Sequence, residues 1–99
     1  MAFAEIEPRP LNELTAFQRD IMVVVESMDD DSDRVGLRIK EALDQEYGDI
    51  NHGRLYPNLD TLTDDGLLAK AKIDGRTNSY GLTLKGKKRL DAHREWMAE

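Results

Sequence analysis

The spacing of hydrophobic positions in this chain changes near Leu67. Before it they recur every three or four residues; after it they alternate briefly, then return to the longer period. Thr15 opens the first helical stretch, with Gln18 three residues on in a capping-box pattern. Its stripe is Phe17, Ile21, Val24, Val25 and Met28. The charged linker "DDDSD" at 29–33 offers Ser32 or Asp33 as a cap for a second helix reaching about Tyr47. That helix carries Val35, Ile39, Leu43 and Tyr47 on one face, with Gly48 past its end. Leu55, Leu59 and Leu62 mark a third helix. Ala69, Ala71 and Ile73 then alternate with Lys70 and Lys72 as in a strand, Asp74-Gly75 signals a turn, and Tyr80 with Leu82 forms a short return strand. Thr83 caps a last helix with Leu90, His93 and Met97 on one side and Trp96 beside them. Residues 1–13, with two prolines and four charges, read as a flexible N-terminal arm, leaving 14–99 as one domain. Three helices, a hairpin and a helix predict a mainly α fold with a two-stranded β-hairpin wing, a winged helix-turn-helix.

The third helix, within "NHGRLYPNLDTLTDDG", raises the question of function. Placed at 100° per residue, its leucines share one side. The opposite side receives Gly53, Pro57, Asp60 and Thr61, flanked by Arg54, Tyr56 and Asn58, with Asn51 and His52 at the start. A helix entering a DNA major groove needs a lean outer face and a few hydrogen-bonding side chains near its N-terminus. Gly53 and Pro57 supply the leanness. Arg54 suits a phosphate or guanine, Asn58 an adenine edge, and Tyr56 a phosphate. Pro57 falls late for a first-turn proline, which predicts an irregular first turn or a mild kink. An ordinary core helix with a solvated outer face fits these residues as well.

In the wing, "KIDGRTNSY", Arg76 and Asn78 are candidates to reach phosphates or the minor groove, and Lys70 and Lys72 to add phosphate contacts. A solvated hairpin is the plain alternative. The basic run "KGKKRLDAHR" is better read as the solvated face of a helix, at Lys87 and Lys88 above all.

Charge sharpens the picture. The 99 residues carry a net charge of −6, which argues against a polyanion partner until it is divided along the chain. Residues 1–50 hold 13 acids and 5 bases, and residues 51–99 hold 7 acids and 9 bases. The base-richer half contains the third helix and the hairpin. The absence of cysteine excludes disulfides and thiolate metal sites. Two separated histidines make no convincing metal site, and no nucleophile–base pair or phosphate-cradling glycine motif points to an enzyme. No apolar run approaches a membrane span, and the acidic start is unlike a signal peptide, so the expectation is a soluble, cytoplasmic protein without a membrane partner.

Two motifs add a resemblance. "GRLYPNLDTLTDDGLL" is similar to the pattern G-x-L-Y-P-x-L-x-x-L-x-x-x-G-L of the PadR family of transcriptional regulators, through Gly53, Leu55, Tyr56, Pro57, Leu59, Leu62, Gly66 and Leu67. Further on, Tyr80, Leu82, Thr83 and Gly86 match Y-x-L-T-x-x-G, with Arg76 upstream. The likeness spans roughly residues 14–97 and is nearest the short, acidic type of halophilic archaea. Arg54 stands where a small hydroxyl residue is common, and Asp60 adds an acid to the presumed groove side. With the last helix ending at Glu99, the expectation is a short member without the long C-terminal extension of one subfamily. The resemblance implies a sequence-specific regulator of double-stranded DNA, a repressor rather than an activator, with no cofactor. It implies a homodimer built from the first and last helices, so Phe17, Ile21, Met22, Val25, Leu90, His93, Trp96 and Met97 are the expected dimer residues. A winged-helix module for protein partners, and a regulator with a small-molecule effector at the dimer junction, are the rival readings.

Overall fold

A computed structural model describes residues 9–30 and 34–98. Helices α1 (Ala16–Ser27), α2 (Gly36–Tyr47) and α3 (His52–Asp64) lead into strands β1 (Leu68–Lys72) and β2 (Asn78–Leu82), and α4 (Leu84–Ala98) closes the chain. Local chemistry sets most boundaries. Thr15 caps α1 through the full reciprocal box, its Oγ1 accepting from the Gln18 N–H and its own N–H donating to Gln18 Oε1, both at 3.1 Å. A cap of this kind stabilises by about 1 kcal/mol. Asn51 caps α3, accepting from the Arg54 N–H at 2.8 Å. The end of α3 is a Schellman turn: Gly66 takes φ 76°, Leu67 N–H reaches the Leu62 carbonyl and Gly66 N–H the Thr63 carbonyl.

The strands pair antiparallel with Leu68 opposite Leu82, Lys70 opposite Tyr80 and Lys72 opposite Asn78. Val35 bridges the free side of β2 at Ser79, and the Tyr80 N–H donates to the Arg34 carbonyl at 2.8 Å. The start of α2 is thereby tied to the root of the wing. The core lies beneath, where Leu55, Leu59 and Leu62 of α3 meet Ile21 and Val25 of α1, Ile39 and Leu43 of α2, and Leu90 of α4. Thr83 locks the return into α4. Its hydroxyl donates to the Gly66 carbonyl at 2.6 Å and accepts from the Gly86 N–H at 2.9 Å. Gly86 is required by contact: a Cβ there would lie 2.2 Å from the Leu67 carbonyl oxygen.

The expected first strand is present as β1, with Ala69, Ala71 and Ile73 exposed and only Leu68 of β1 buried, because the hairpin projects beyond the helices. Three expectations are corrected. The N-cap of α2 is Val35, which provides no side-chain cap; Ser32 lies outside the described residues, as does Asp33. Nor does Pro57 interrupt α3, which runs as one α-helix across it. The carbonyl left without a donor belongs to exposed Gly53, where water can serve it. Lastly, the arm expected over residues 1–13 is docked where it is described. Leu11 is fully buried and its N–H donates to His93 Nδ1 at 3.0 Å, while Arg89 donates to the carbonyls of Arg9 and Pro10 and pairs with Glu13. Residues 1–8 lie outside the described residues.

Candidate nucleic-acid interface

With three leucines buried, α3 turns Gly53, Pro57, Asp60, Thr61 and Asp64 to solvent. None is bulky. The two flanks of this face are built in opposite ways.

On one flank the polar side chains are already engaged. The Arg54 guanidinium lies 4.0 Å from the Phe17 ring centroid and 5.3 Å from that of Tyr47. Those two rings meet edge to face at 5.2 Å, and the Tyr47 hydroxyl donates to Asp20. That bond, with burial added, raises the Tyr47 pKa, so the ring remains a neutral donor. Asn58 donates to the Arg54 carbonyl at 2.7 Å and accepts from Gln18 at 3.0 Å. Asn51 serves as the cap. Arg54 and Asn58, expected as base readers, are thus held by the fold.

The other flank is open. His52 stacks on Tyr56 with ring centroids 5.6 Å apart and planes 4° from parallel. The Tyr56 ring lies across Gly36, close enough that a Cβ on Gly36 would sit 2.3 Å from its hydroxyl. Between Tyr56 and the wing runs a groove of about 200 Å³, lined by Val35, Gly36, Leu37, Arg76, Thr77, Asn78 and Tyr80 besides. Lys70, Tyr80, Lys72 and Asn78 share one face of the hairpin by register, and Lys70 approaches Asp60 of α3 to 3.9 Å. Among the described residues, the side chains of Lys72, Arg76 and Asn78 have no partner. Asp74 shapes the tip, accepting from the Arg76 and Thr77 N–H groups at 2.9 Å each; those bonds hold its pKa below the usual carboxylate range.

The basic run on α4 is largely committed. Arg94 and Lys87 converge on Glu26, whose pKa is lowered first by the Arg94 hydrogen bond. Lys85 donates to the Asp65 carbonyl. The expected dimer residues divide. Phe17, Ile21, Met22, Val25, Leu90 and His93 are buried by the chain's own elements. Helix α1 spends its apolar stripe on α2, α3, α4 and β2. Trp96 and Met97, 52% and 60% exposed, keep theirs. Sequence reasoning missed Gly36, which has no motif to mark it, and the Tyr80 hydroxyl, which was counted as a strand residue.

Residues 24–92 match the family model described as the transcriptional regulator PadR-like family. The chain belongs to that family. PadR-like proteins are transcriptional regulators, not enzymes. Among solved structures, the PadR-like chain is 44% identical to RosR of H. salinarum, a halophilic archaeon. In crystals grown from NaBr, RosR matches with a TM-score of 0.75 over 86% of this chain and 74% of that one. The hsRosR-S1 complex gives 0.77 over 87% and 74%. Bacillus subtilis PadR in complex with operator DNA has the same fold at 24% identity, with a TM-score of 0.64 over 86% of this chain and 49% of that one. No curated protein matches the chain. Among the described residues, no helix is long and apolar enough to cross a membrane.

Proposed function

We propose that this PadR-like chain is a sequence-specific DNA-binding regulator that inserts α3 into the major groove and lays its hairpin along the backbone. The observation that carries the reading is the lean exposed face of α3 set beside a hairpin whose Lys72 and Arg76 are unpartnered among the described residues. Membership of a family of transcriptional regulators supports it. Gly53, Pro57 and Thr61 approach the bases; Tyr56, Lys70, Lys72, Arg76 and Asn78 contact phosphate and sugar, which set orientation. Arg54 and Asn58 act first by fixing the helix to α1.

The active form is a homodimer joined through the exposed end of α4, at Trp96 and Met97. A two-fold pair would place the two α3 helices about 34 Å apart, on successive turns of one DNA face. Bound at its operator, the dimer acts as a repressor by occupying the site. The test is selection of duplexes from a random library by the purified protein, followed by anisotropy titration. Enrichment of an inverted repeat, bound far more tightly than shuffled sequence, is the expected result. Recovery of no preferred sequence under any salt condition would overturn the reading.

A further inference from the structure

The open flank holds more hydrogen-bonding capacity than an ordinary surface groove requires. Tyr80 is only 3% exposed, yet among the described residues its hydroxyl has no partner. No fully enclosed polar side-chain atom among those residues is left unsatisfied, so the hydroxyl is the part of Tyr80 that meets the groove. Its raised pKa, from burial first and then from Asp60 and Tyr56, keeps it a protonated donor. The opposite wall is Tyr56, held across Gly36. Arg76 and Asn78 bound the groove on the wing side, and neither side chain has a partner among the described residues. The first turn of α2, Gly36 and Leu37, also lines the groove; Val35 provides it no side-chain cap, so the positive end of the helix dipole is not neutralised there by a capping side chain.

Among the described residues, every polar side chain that reaches this groove can donate a hydrogen bond, and none of them is a carboxylate. The nearest acid on α3, Asp60, is drawn toward Lys70. Two tyrosine hydroxyls, a guanidinium, an amide and a helix N-terminus around about 200 Å³ suit a single tetrahedral anion. We propose that the groove is a clamp for one phosphodiester of the DNA backbone, gripped jointly by the start of α2, Tyr56, Tyr80, Arg76 and Asn78. The assignment rests on the DNA-binding reading and deepens it. Tyr56 belongs to α3, whereas Tyr80, Arg76 and Asn78 belong to the hairpin and its root. A phosphate held between them fixes the spacing of helix and wing, and so the register in which α3 meets the bases. Gly36 is the residue that lets Tyr56 lie low enough to form one wall.

The test uses the duplex selected by the full chain. Each backbone phosphate is replaced in turn by a neutral methylphosphonate, and affinity is compared for the wild type and Tyr80→Phe, a volume-conserving change. Loss of the hydroxyl should weaken the unmodified duplex about tenfold. One phosphate per half-site should cost the wild type a similar factor and cost Tyr80→Phe little more, while other positions affect both proteins equally. Should Tyr80→Phe misfold by circular dichroism, Arg76→Ala, altered only on the surface, takes its place. Undiminished binding by the folded variant, or equal phosphate sensitivity of both proteins at every position, overturns the clamp while leaving DNA binding intact. Failure to select any duplex overturns both. Inorganic phosphate alone should leave the Gly36 and Leu37 amide resonances unmoved where the duplex shifts them; equal shifts would make this a small-anion site and overturn the backbone assignment.

Discussion

The two flanks of α3 carry similar chemistry and put it to opposite uses. Each has an arginine, a tyrosine and an asparagine within reach: Arg54, Tyr47 and Asn58 on one side, Arg76, Tyr56 and Asn78 on the other. On the first, the guanidinium is stacked and the amide and phenol are hydrogen-bonded within the chain. On the second, none of the three polar heads has a hydrogen-bond partner among the described residues. Residue type alone therefore does not mark a binding surface. Stacking and hydrogen bonding inside the chain consume the capacity that a ligand would need, and only the neighbours show whether it has been consumed.

The largest expected effect lies under the closed flank. Phe17→Ala removes the ring beneath Arg54 and should destabilise by about 3–5 kcal/mol, read as a lower urea midpoint. A loss below about 1 kcal/mol would mean that the aromatic pair is not what holds this side together.

The paired arginines sharpen the contrast. Arg54→Ala should cost about 1–2 kcal/mol of folding stability, through lost cation–π contact and stem packing. Arg76→Ala should leave stability within about 0.5 kcal/mol. Instead it should weaken DNA binding by a similar factor on all sequences and reduce the salt slope by about one. If Arg54→Ala were silent in folding and Arg76→Ala destabilising, the comparison would be reversed.

Mild acid should act on folding through a buried histidine that lies outside both flanks. Burial, and then the charge of Arg19, holds His93 below its usual pKa. Its Nδ1 accepts from Leu11, a bond that protonation forbids. The unfolded chain therefore binds this proton more readily than the folded one. Stability should be full above pH of about 6.5 and fall as pH drops from there toward the lower folded value. Glu26 and Asp74 should add their losses only lower, below pH of about 4, as their depressed pKa values are crossed. Urea midpoints of wild type and His93→Gln across this range check the assignment; the upper limb should vanish in the variant.

The smallest effect concerns salt. An open flank whose Lys72 and Arg76 have no partner among the described residues, on a chain of net charge −6, should release counterions and repel the duplex at once. The slope of log affinity against log potassium chloride should be shallower than the phosphate contacts alone would give. A steep slope from folded protein would show that the acids play no part.

Much of this architecture was legible in the sequence. The periodicity placed all four helices and the hairpin, Thr15 and Gln18 announced their box, and the three leucines named the buried face of α3. Those signals are local. The state of Arg54 was not legible, because its partners Phe17 and Tyr47 come from two other helices. Likewise Gly36 acquires its meaning from Tyr56, twenty residues away. Which of the expected dimer residues stay exposed was not legible for the converse reason: a stripe of apolar positions says that something covers it, not whether the cover comes from the same chain.

The docking of Leu11 against His93 and of Arg9 and Pro10 against Arg89 bears on how the molecule assembles. These contacts join residues 82, 80 and 79 positions apart, so they close almost the whole described chain into a ring. The entropy of closing such a ring grows only slowly with its length, but little rewards it until α1 and α4 are already side by side. The tether should thus form late in folding and open early in unfolding. Amide exchange at Leu11 would run ahead of that in α3, and the segment from Arg9 to Leu11 would loosen together with its contacts on α4 as a single cooperative unit.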